Sequence, residues 1–436
     1  MLRFLLVPAV LIAWANGDSW GPYGEQCLVG KEQVYNPADS FSVKWYNIDL
    51  DEDPRTRWNE VGESHGKQIL AALDTVKMFI ALIDVSIYDF LVEFAAMGVP
   101  NLPEPYHQEI IGMAKASGLS VGEVALLNLF YEIKKGCTSI VARDKDGEIY
   151  HARNQDFGFL FYWNVTLQTW QQTMALKDLV ININYIKDGK VLFKGVTFAG
   201  HLGTLTGIRP QGFSISTNAR FGSVHENIYD FFVRGLTGRS FLMYADRDVL
   251  TKCSTYEEAY EYLTTVPLLA PGYFILGGRQ NNQGAVITRG PDGAEHVDTM
   301  NQTSWYVLQT NYDWDKKVIY LDDRRGPGHD CMNKLGTKNV NLAGLFQVLS
   351  SKPNLNKATV YTSVMHVNAG TLESFIRDCQ NPCCCSWRLW RRVDANRSWT
   401  IHTLTSTVSV RRPESVKCEQ MRSGTGYFLI EEGKVA

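Results

Sequence analysis

A cysteine, an arginine and an aspartate stand at the ends of one predicted β-hairpin. Cys137 opens a run of β-branched residues, and Asp146-Gly147 is a dipeptide typical of a hairpin turn. If the loop centres on that turn, the second strand brings Arg153 and Asp156 beside Cys137 at one end of the sheet. A thiol, a guanidinium and a carboxylate then meet. This predicts a nucleophilic site in which the positive charge of Arg153 favours the thiolate.

The residues near this thiol include no obvious histidine base. His151 faces the same side of its strand as Arg153 but lies one pair further from Cys137. Cleavage of the Gly136–Cys137 peptide bond would create a base, because a free α-amine has an ordinary pKa of roughly 7.7–8.0. Judged on these residues alone, the favoured explanation is that Cys137 is a buried strand cysteine or half of a disulfide, and that Arg153 and Asp156 form an ion pair at the rim.

The patterns around the hairpin predict an α+β protein. Residues 62–132 follow a helical pattern, with a long stretch at 64–96 and a break at Pro100 and Pro103. From residue 137 onward, short runs of β-branched and aromatic residues alternate with Gly, Asp and Asn, and helical patterns return near 229–234 and 255–263. Antiparallel strands and helices in layers are therefore expected.

The composition is that of an ordinary globular protein. The 436 residues include 43 Lys+Arg and 46 Asp+Glu, which gives a formal charge of −3, and 45% are hydrophobic. These values exclude a mainly disordered or collagen-like chain, and the near-neutral charge argues against a nucleic-acid binder with a broad basic face. The apolar run at 78–94 contains Asp84, Asp89 and Glu93, which predicts a buried amphipathic helix rather than a membrane span.

The N-terminus predicts a secreted or lumenal protein. Residues 1–17 have one early cation, Arg3, then an apolar run too short to span a bilayer, then small residues, as in a signal peptide. Nine cysteines then permit disulfides, and at least one must be unpaired or paired between molecules. Sequons at Asn164, Asn301 and Asn396 are predicted glycosylation sites. Residues 386–436 carry nine Lys/Arg against five Asp/Glu and form a basic C-terminal extension of unknown role.

Longer matches identify a family resemblance. Cys-Thr-Ser-Ile-Val-Ala at 137–142 and His-Ala-Arg-Asn-Gln-Asp-Phe-Gly at 151–158 resemble the nucleophile region of the acid ceramidases and the N-acylethanolamine acid amidases. Both groups belong to the choloylglycine-hydrolase branch of the N-terminal-nucleophile hydrolases. Further matches lie at 198–200, 270–278, 309–313, 321–325 and 349–362, and the last three favour the ceramidases. The resemblance runs from about residue 27 to residue 383.

The resemblance implies an αββα sandwich and a precursor that cleaves itself between Gly136 and Cys137. Residues 18–136 would form a mainly helical α subunit and residues 137–385 a catalytic β subunit. Carried over by motif, Cys137 is the nucleophile and supplies the α-amino base, Arg153 lies beside the thiol, and Asp156 orients the new amine and assists cleavage.

Two more site residues follow from the resemblance and not from local spacing. Asn311 would donate to the tetrahedral oxyanion, and Arg324 would hold the network together from the far side. The family also implies two disulfides, Cys27 with Cys331, which would tie the α subunit to the β subunit, and Cys379 with Cys383. No metal or organic cofactor is implied.

The implied reaction is hydrolysis of the ceramide amide to sphingosine and a fatty acid through a thioester on the cysteine, in the lysosome or after secretion. The implied partners are a lumenal membrane surface and a saposin-like activator that presents the lipid. An N-acylethanolamine amidase with the same chemistry is the first alternative. A catalytically impaired lipid-binding homologue is the second, because Ala219 stands where the ceramidases have Glu. An uncleaved, disulfide-linked structural protein is the third.

Overall fold

The computed structural model describes most of the chain. The described residues are 34–81, 84, 86–133, 136–157, 163–164, 166–220, 231, 235, 238–318, 322–379, 399–403 and 406–410. The predicted signal peptide, Cys27, Cys383, Asn396 and most of the predicted helix near 229–234 therefore lie outside the described part. The boundaries at residues 17, 136 and 385 remain predictions.

Nine helices are described. They are α1 (Asn59–Ala81), α2 (Ser86–Gly98), α3 (Tyr106–Ser117), α4 (Val121–Ile133), α5 (Gln171–Lys177), α6 (Leu242–Lys252), α7 (Tyr256–Thr265), α8 (Arg325–Leu335) and α9 (Leu342–Ser350). Short 3-10 turns occupy Pro37–Ser42, Val99–Asn101 and Thr337–Asn339. The first four helices confirm the helical pattern predicted ahead of Cys137.

The strands of the described part follow the predicted change of pattern at residue 137. They are β1 (Trp45–Asp49), β2 (Gly136–Arg143), β3 (Ile149–Asp156), β4 (Trp163–Asn164), β5 (Thr169–Trp170), β6 (Val180–Lys187), β7 (Lys190–Phe198), β8 (Thr206–Arg209), β9 (Phe213–Ala219), β10 (Gly272–Gly277), β11 (Gly284–Arg289), β12 (Ala294–Thr299), β13 (Tyr306–Gln309), β14 (Thr359–His366), β15 (Thr371–Ile376), β16 (Trp399–Thr403) and β17 (Ser406–Val410).

Two large sheets pack face to face between layers of helices. One sheet has eight strands in the order β1-β6-β7-β8-β9-β10-β11-β12, and the other has five in the order β13-β2-β3-β14-β15. Val141, Tyr273 and Val286 belong to a buried apolar cluster between the sheets. Other clusters join α8 and α9 to the outer face of the five-stranded sheet, and α1 and α6 to the eight-stranded sheet. The predicted αββα sandwich is confirmed.

The predicted nucleophile hairpin is formed by β2 and β3. The strands pair antiparallel, with Cys137 opposite Gln155 and Gly136 opposite Asp156. At the turn, the side chain of Asp144 accepts hydrogen bonds from the backbone of Asp146 and Glu148, at 2.9 Å each. This local bonding fixes the register, and the register decides which side chains lie beside Cys137.

The apolar run at 78–94 departs from the prediction of one buried helix. The helix is interrupted between α1 and α2. There the Asp84 carboxylate accepts hydrogen bonds from the backbone N–H and from the hydroxyl of Ser86, at 2.8 and 2.7 Å. Phe90 is 61% exposed, so the second helix is not fully buried. Within the described ranges no single helix is long and apolar enough to cross a membrane. Two consecutive helices with a bend between them, Tyr106–Ser117 and Val121–Leu129, are long and apolar enough only when they are taken together.

A buried ionic cluster joins the parts of the chain before and after Gly136. Glu109 of α3 has no exposed surface and accepts hydrogen bonds from Arg57 at 3.3 Å and from both terminal nitrogens of Arg247 on α6. Nearby, Tyr106 donates to Asp248 at 2.7 Å. The segment before the predicted cleavage point is thus part of the same core as the segment after it.

Replacing Glu109 with alanine should strongly destabilise the fold, because two buried guanidinium groups would lose their counter-charge. We expect the free energy of unfolding to fall by about 3–5 kcal/mol. Urea unfolding of the uncut chain would measure this change. The matched control is Asp146→Asn, which removes an ion pair with Lys145 whose side chains are 58% and 65% exposed. If both variants lose the same stability, the ionic cluster has no special role.

Candidate active site

The side chain of Cys137 is fully buried at the start of β2, and three groups surround its sulfur. Arg153 Nη2 lies 2.8 Å from Cys137 Sγ, and Gln155 Nε2 lies 3.6 Å from it. The carbonyl oxygen of Thr217, on β9 of the facing sheet, is 4.0 Å away. The predicted meeting of the thiol and the guanidinium is therefore present. The hairpin register would also have identified Gln155, which the sequence reasoning missed.

Arg153 is held rigidly in this position. Its Nη1 donates to the Leu205 carbonyl and the Thr206 hydroxyl at 3.1 Å each, and to the Tyr361 hydroxyl at 3.3 Å. Burial lowers the pKa of Arg153, but the neighbouring Cys137 and Tyr361 raise it above the ordinary value. The group therefore remains a cation, and its second nitrogen is directed at the sulfur.

Asn311 and Arg324 bind the backbone of Cys137. The Cys137 N–H donates to Asn311 Oδ1 at 2.9 Å, and Arg324 Nη1 donates to the Cys137 carbonyl at 2.5 Å. Arg324 Nη2 also donates to Asn311 Oδ1 at 2.7 Å, and Asn311 Nδ2 donates to the Ala219 carbonyl at 2.8 Å. Asn311 thus holds the nitrogen atom that cleavage after Gly136 would turn into an amine.

Asp156 is fully buried opposite Gly136 and belongs to the same network. Its carboxylate accepts hydrogen bonds from Thr359 at 2.6 Å, and from Asn356 and Arg324 at 3.2 Å each. Burial raises the pKa of Asp156, and the charge of Arg324 opposes that shift. In the uncut chain Asp156 is connected to Cys137 through Arg324, while Asn311 makes the direct contact with the nitrogen. Orientation of the new amine by Asp156 remains a prediction.

His151 lies between the two sheets, and its ring nitrogens contact two serine hydroxyls rather than the Cys137 sulfur. Its ring nitrogens are 3.0 Å from the Ser214 hydroxyl and 2.9 Å from the Ser216 hydroxyl. Burial, together with the charge of Arg153, lowers the pKa of His151 to about 3. The imidazole is therefore neutral at moderately acidic pH, and it joins the two sheets through these hydroxyls.

This shift predicts a specific pH dependence of stability. Between pH 6.5 and about 3 the unfolded chain binds a proton at His151 that the folded chain does not, so stability is lost as the pH falls through this window. The group should contribute a slope of roughly 1.4 kcal/mol per pH unit. Replacement by glutamine, which does not titrate, should flatten the slope in urea unfolding at pH 4.5 and 6.5. Equal slopes for both proteins would refute the assignment.

The predicted modification and disulfide sites are only partly within the described residues. Asn301 is exposed, and Asn164 is half-buried in β4. Cys331 and Cys379 are buried and disulfide-bonded. Their predicted partners, Cys27 and Cys383, lie outside the described part, so these pairings remain predictions, as does glycosylation.

Comparison with known proteins identifies the family. A Caenorhabditis elegans protein named "Probable acid ceramidase" is 41% identical over 365 residues, which cover 82% of this chain and 91% of the relative. The chain belongs to the acid ceramidase family. Human acid ceramidase is 37% identical over 388 residues, covering 87% of this chain and 97% of the human protein.

Two family models match separate parts of the chain. Residues 137–322 match the linear amide C–N hydrolases of the choloylglycine hydrolase family, and residues 41–101 match the beta subunit of N-acylethanolamine-hydrolyzing acid amidase. This member of the acid ceramidase family is therefore an amidohydrolase that acts on linear amides. A solved structure of the Caenorhabditis elegans ortholog of that amidase is 29% identical, covers 56% of this chain and 100% of its own, and has a TM-score of 0.47.

Proposed function

We propose that this protein cleaves itself before Cys137 and then hydrolyses the amide bond of ceramide in the lysosome. The observation that carries the proposal is the double anchoring of one residue. The sulfur of Cys137 lies 2.8 Å from Arg153, and its backbone nitrogen lies 2.9 Å from Asn311. A nucleophile and a future amine base are thus both held in place, and the relatives reported above carry the name acid ceramidase.

Self-cleavage would begin with attack of the Cys137 sulfur on the carbonyl carbon of Gly136. The peptide nitrogen takes up a proton and leaves as the α-amine of Cys137, and the acyl group moves to the sulfur as a thioester. Water then hydrolyses the thioester, which frees the thiol and leaves a carboxylate on Gly136. Arg153 favours the attacking thiolate by its charge, and Asn311 keeps the departing nitrogen in place.

Ceramide hydrolysis would repeat this chemistry on an external amide. The thiolate attacks the carbonyl carbon while the α-amine of Cys137 takes the thiol proton and later passes it to the leaving nitrogen of sphingosine. Asn311 would donate to the oxyanion of the tetrahedral intermediate. Water, activated by the same amine, then releases the fatty acid from the thioester.

Apolar surfaces near this site support a lipid substrate. A cavity beside Phe157, the residue after Asp156, is lined by side chains of α1, α4 and α5: Ala72, Leu73, Val76, Leu126, Leu127 and Gln172. Its lining is apolar, but its volume of about 10 Å³ is only enough for about one water molecule, so an acyl chain would have to widen it. Leu70 and Met78 on α1 are 44% and 57% exposed. Such apolar side chains would suit contact with a lumenal membrane or a saposin-like activator.

Two further parts of the proposal concern assembly. The α and β subunits would stay joined through the ionic cluster around Glu109 and through a disulfide between Cys27 and Cys331. The disulfide-bonded state of Cys331 supports such a link. Mass mapping of peptides under non-reducing conditions would test the pairing, and a Cys331 peptide joined to any other cysteine would contradict it.

An N-acylethanolamine amidase is the second candidate, favoured by the match of residues 41–101 to the beta subunit of that enzyme. The contact between Asn311 and residue 219 does not depend on the side chain there, because Asn311 uses the backbone carbonyl of Ala219. The deciding experiment compares hydrolysis of a C12 ceramide and of N-palmitoylethanolamine by the acid-incubated protein at pH 4.5 and 7. A higher kcat/KM for ceramide supports the proposal, and a higher value for the ethanolamide replaces it.

A further inference from the structure

Arg220, Asp313 and Tyr273 form a polar cluster where the ends of the two sheets meet. Asp313 is two residues after Asn311 in the sequence. Arg220 Nε donates to Asp313 Oδ1 at 2.7 Å, and Arg220 Nη2 donates to Asp313 Oδ2 at 2.8 Å. The Tyr273 hydroxyl donates to the same carboxylate at 2.6 Å. The side chains of Arg220 and Asp313 are only 13% and 16% exposed. This is a bidentate, mostly buried ion pair, which constrains direction as well as distance.

The pair joins segments that belong to different sheets. Arg220 directly follows β9 of the eight-stranded sheet, and Asp313 lies in the turn after β13 of the five-stranded sheet. Asn218 Nδ2 donates to the carbonyls of Gln309 and Thr310, at 2.9 and 3.1 Å, on the N-terminal side of Asn311. The turn that carries Asn311 is therefore held on both sides by the end of β9.

Asn311 itself is linked to the same strand end. Its Nδ2 donates to the carbonyl of Ala219, the residue next to Arg220, at 2.8 Å. Arg220 is in turn fixed from the other side, since its Nη1 donates to the Arg289 carbonyl at 3.1 Å and lies 2.7 Å from Glu295. A shift of Arg220 relative to Asp313 would thus change the position of the Asn311 amide.

The charge state of the pair suits an acidic compartment. Hydrogen bonding from Arg220 lowers the pKa of Asp313 below the ordinary aspartate value, although burial acts in the opposite direction. Tyr273 adds a hydrogen bond to the charged form. The carboxylate therefore keeps its charge at a pH where ordinary carboxylates begin to take up protons.

We propose that Arg220 and Asp313 are positioning residues that fix Asn311 where the oxyanion develops. The inference rests on the proposed function, because it assumes that Asn311 is the oxyanion donor. Oxyanion donors act only within a narrow range of distance and direction, so a small displacement of the amide should lower turnover. The pair lies outside the contacts of the sulfur, so the reactivity of Cys137 should not depend on it.

The test compares Arg220→Lys and Asp313→Asn with a more exposed arginine–aspartate pair elsewhere. Arg239 and Asp292 also form an ion pair between two loops, at 2.6 Å, and neither is among the site contacts, so Arg239→Lys and Asp292→Asn are the controls. Each protein is incubated at pH 4.5, and its turnover of C12 ceramide is normalised to the fraction of chains that begin at Cys137. The rate at which iodoacetamide alkylates Cys137 is measured in parallel.

The site variants should lose roughly 10- to 100-fold in kcat. KM should stay within about twofold of wild type, because an oxyanion donor acts in the transition state rather than on the bound substrate. The alkylation rate should also stay within about twofold, because the sulfur of Cys137 contacts Arg153 and neither Arg220 nor Asp313. The control variants should match wild type in all three quantities. Tyr273→Phe, which removes one hydrogen bond to Asp313, should lower kcat by a smaller factor without loss of folding.

Two results would overturn the inference. One is a kcat for the site variants equal to that of the controls, and the other is a parallel fall of kcat and alkylation rate, which would indicate general disruption. If the charged variants do not fold, an unchanged kcat in Tyr273→Phe is sufficient to reject it. Failure of the proposed function looks different, because wild type itself would then produce no chain beginning at Cys137 or no turnover.

Discussion

Cys137→Ala should leave the chain uncut and reduce amide hydrolysis to background. The variant lacks the sulfur that attacks Gly136, so neither the thioester nor the free α-amine can form. Loss of a nucleophile in an acyl-transfer enzyme lowers kcat by a factor on the order of 10⁶. Intact mass and N-terminal sequencing of the acid-incubated, reduced protein would show a new chain beginning Cys137-Thr138-Ser139 in wild type and one full-length chain in the variant.

The chain offers a matched control for this substitution. Cys253 is the other free, buried cysteine among the described residues, and it lies just after α6. Cys253→Ala should be cleaved and should turn over ceramide like wild type. A wild-type protein that stays whole at acidic pH would remove the amine base and with it the proposed mechanism. A cleaved Cys137→Ala protein would assign the cut to another protease.

Asn311→Ala should have the second largest effect. The side-chain amide that would donate to the oxyanion is lost, and removal of one such donor costs roughly 10²–10³ in kcat. The acceptor for the Cys137 N–H is lost as well, so self-cleavage should also slow. Rates of cleavage and of ceramide turnover, normalised to cleaved chains, would separate the two effects.

Asn311→Asp distinguishes the two roles of this side chain. Aspartate keeps an oxygen for the Cys137 N–H and for Arg324, but it cannot donate to an oxyanion and adds negative charge there. Cleavage should therefore be retained better than turnover. Asn182→Ala is the control, because Asn182 is also buried and bonds the Val43 carbonyl, away from Cys137. Turnover by Asn311→Ala within threefold of this control would contradict the oxyanion role.

The hairpin that carries the nucleophile was predictable because its determinants are local. The Asp146-Gly147 turn and the two-residue period of β2 and β3 set the register, which puts Arg153 opposite Ser139 and diagonally next to Cys137 on the same face. The break at Asp84 was not predicted. The apolar pattern continues from α1 into α2, so the sequence predicts one helix. The end of α1 and the start of α2 become visible only in the structure, where Ser86 donates two hydrogen bonds to Asp84.

The rest of the site depends on long-range packing. Asn311 is 174 residues from Cys137 and Arg324 is 187 residues away, so no spacing rule connects them, and only resemblance to a family pointed to these two residues. The strand order β13-β2-β3 brings the Asn311 turn beside Cys137, and the stacking of the two sheets adds Thr217 and the Arg220 cluster. Local sequence specified a reactive hairpin because turns and strand period act over a few residues. The tertiary structure alone decided which distant side chains hold the nitrogen of Cys137, because sheet order and sheet packing arise from burial summed over the whole chain.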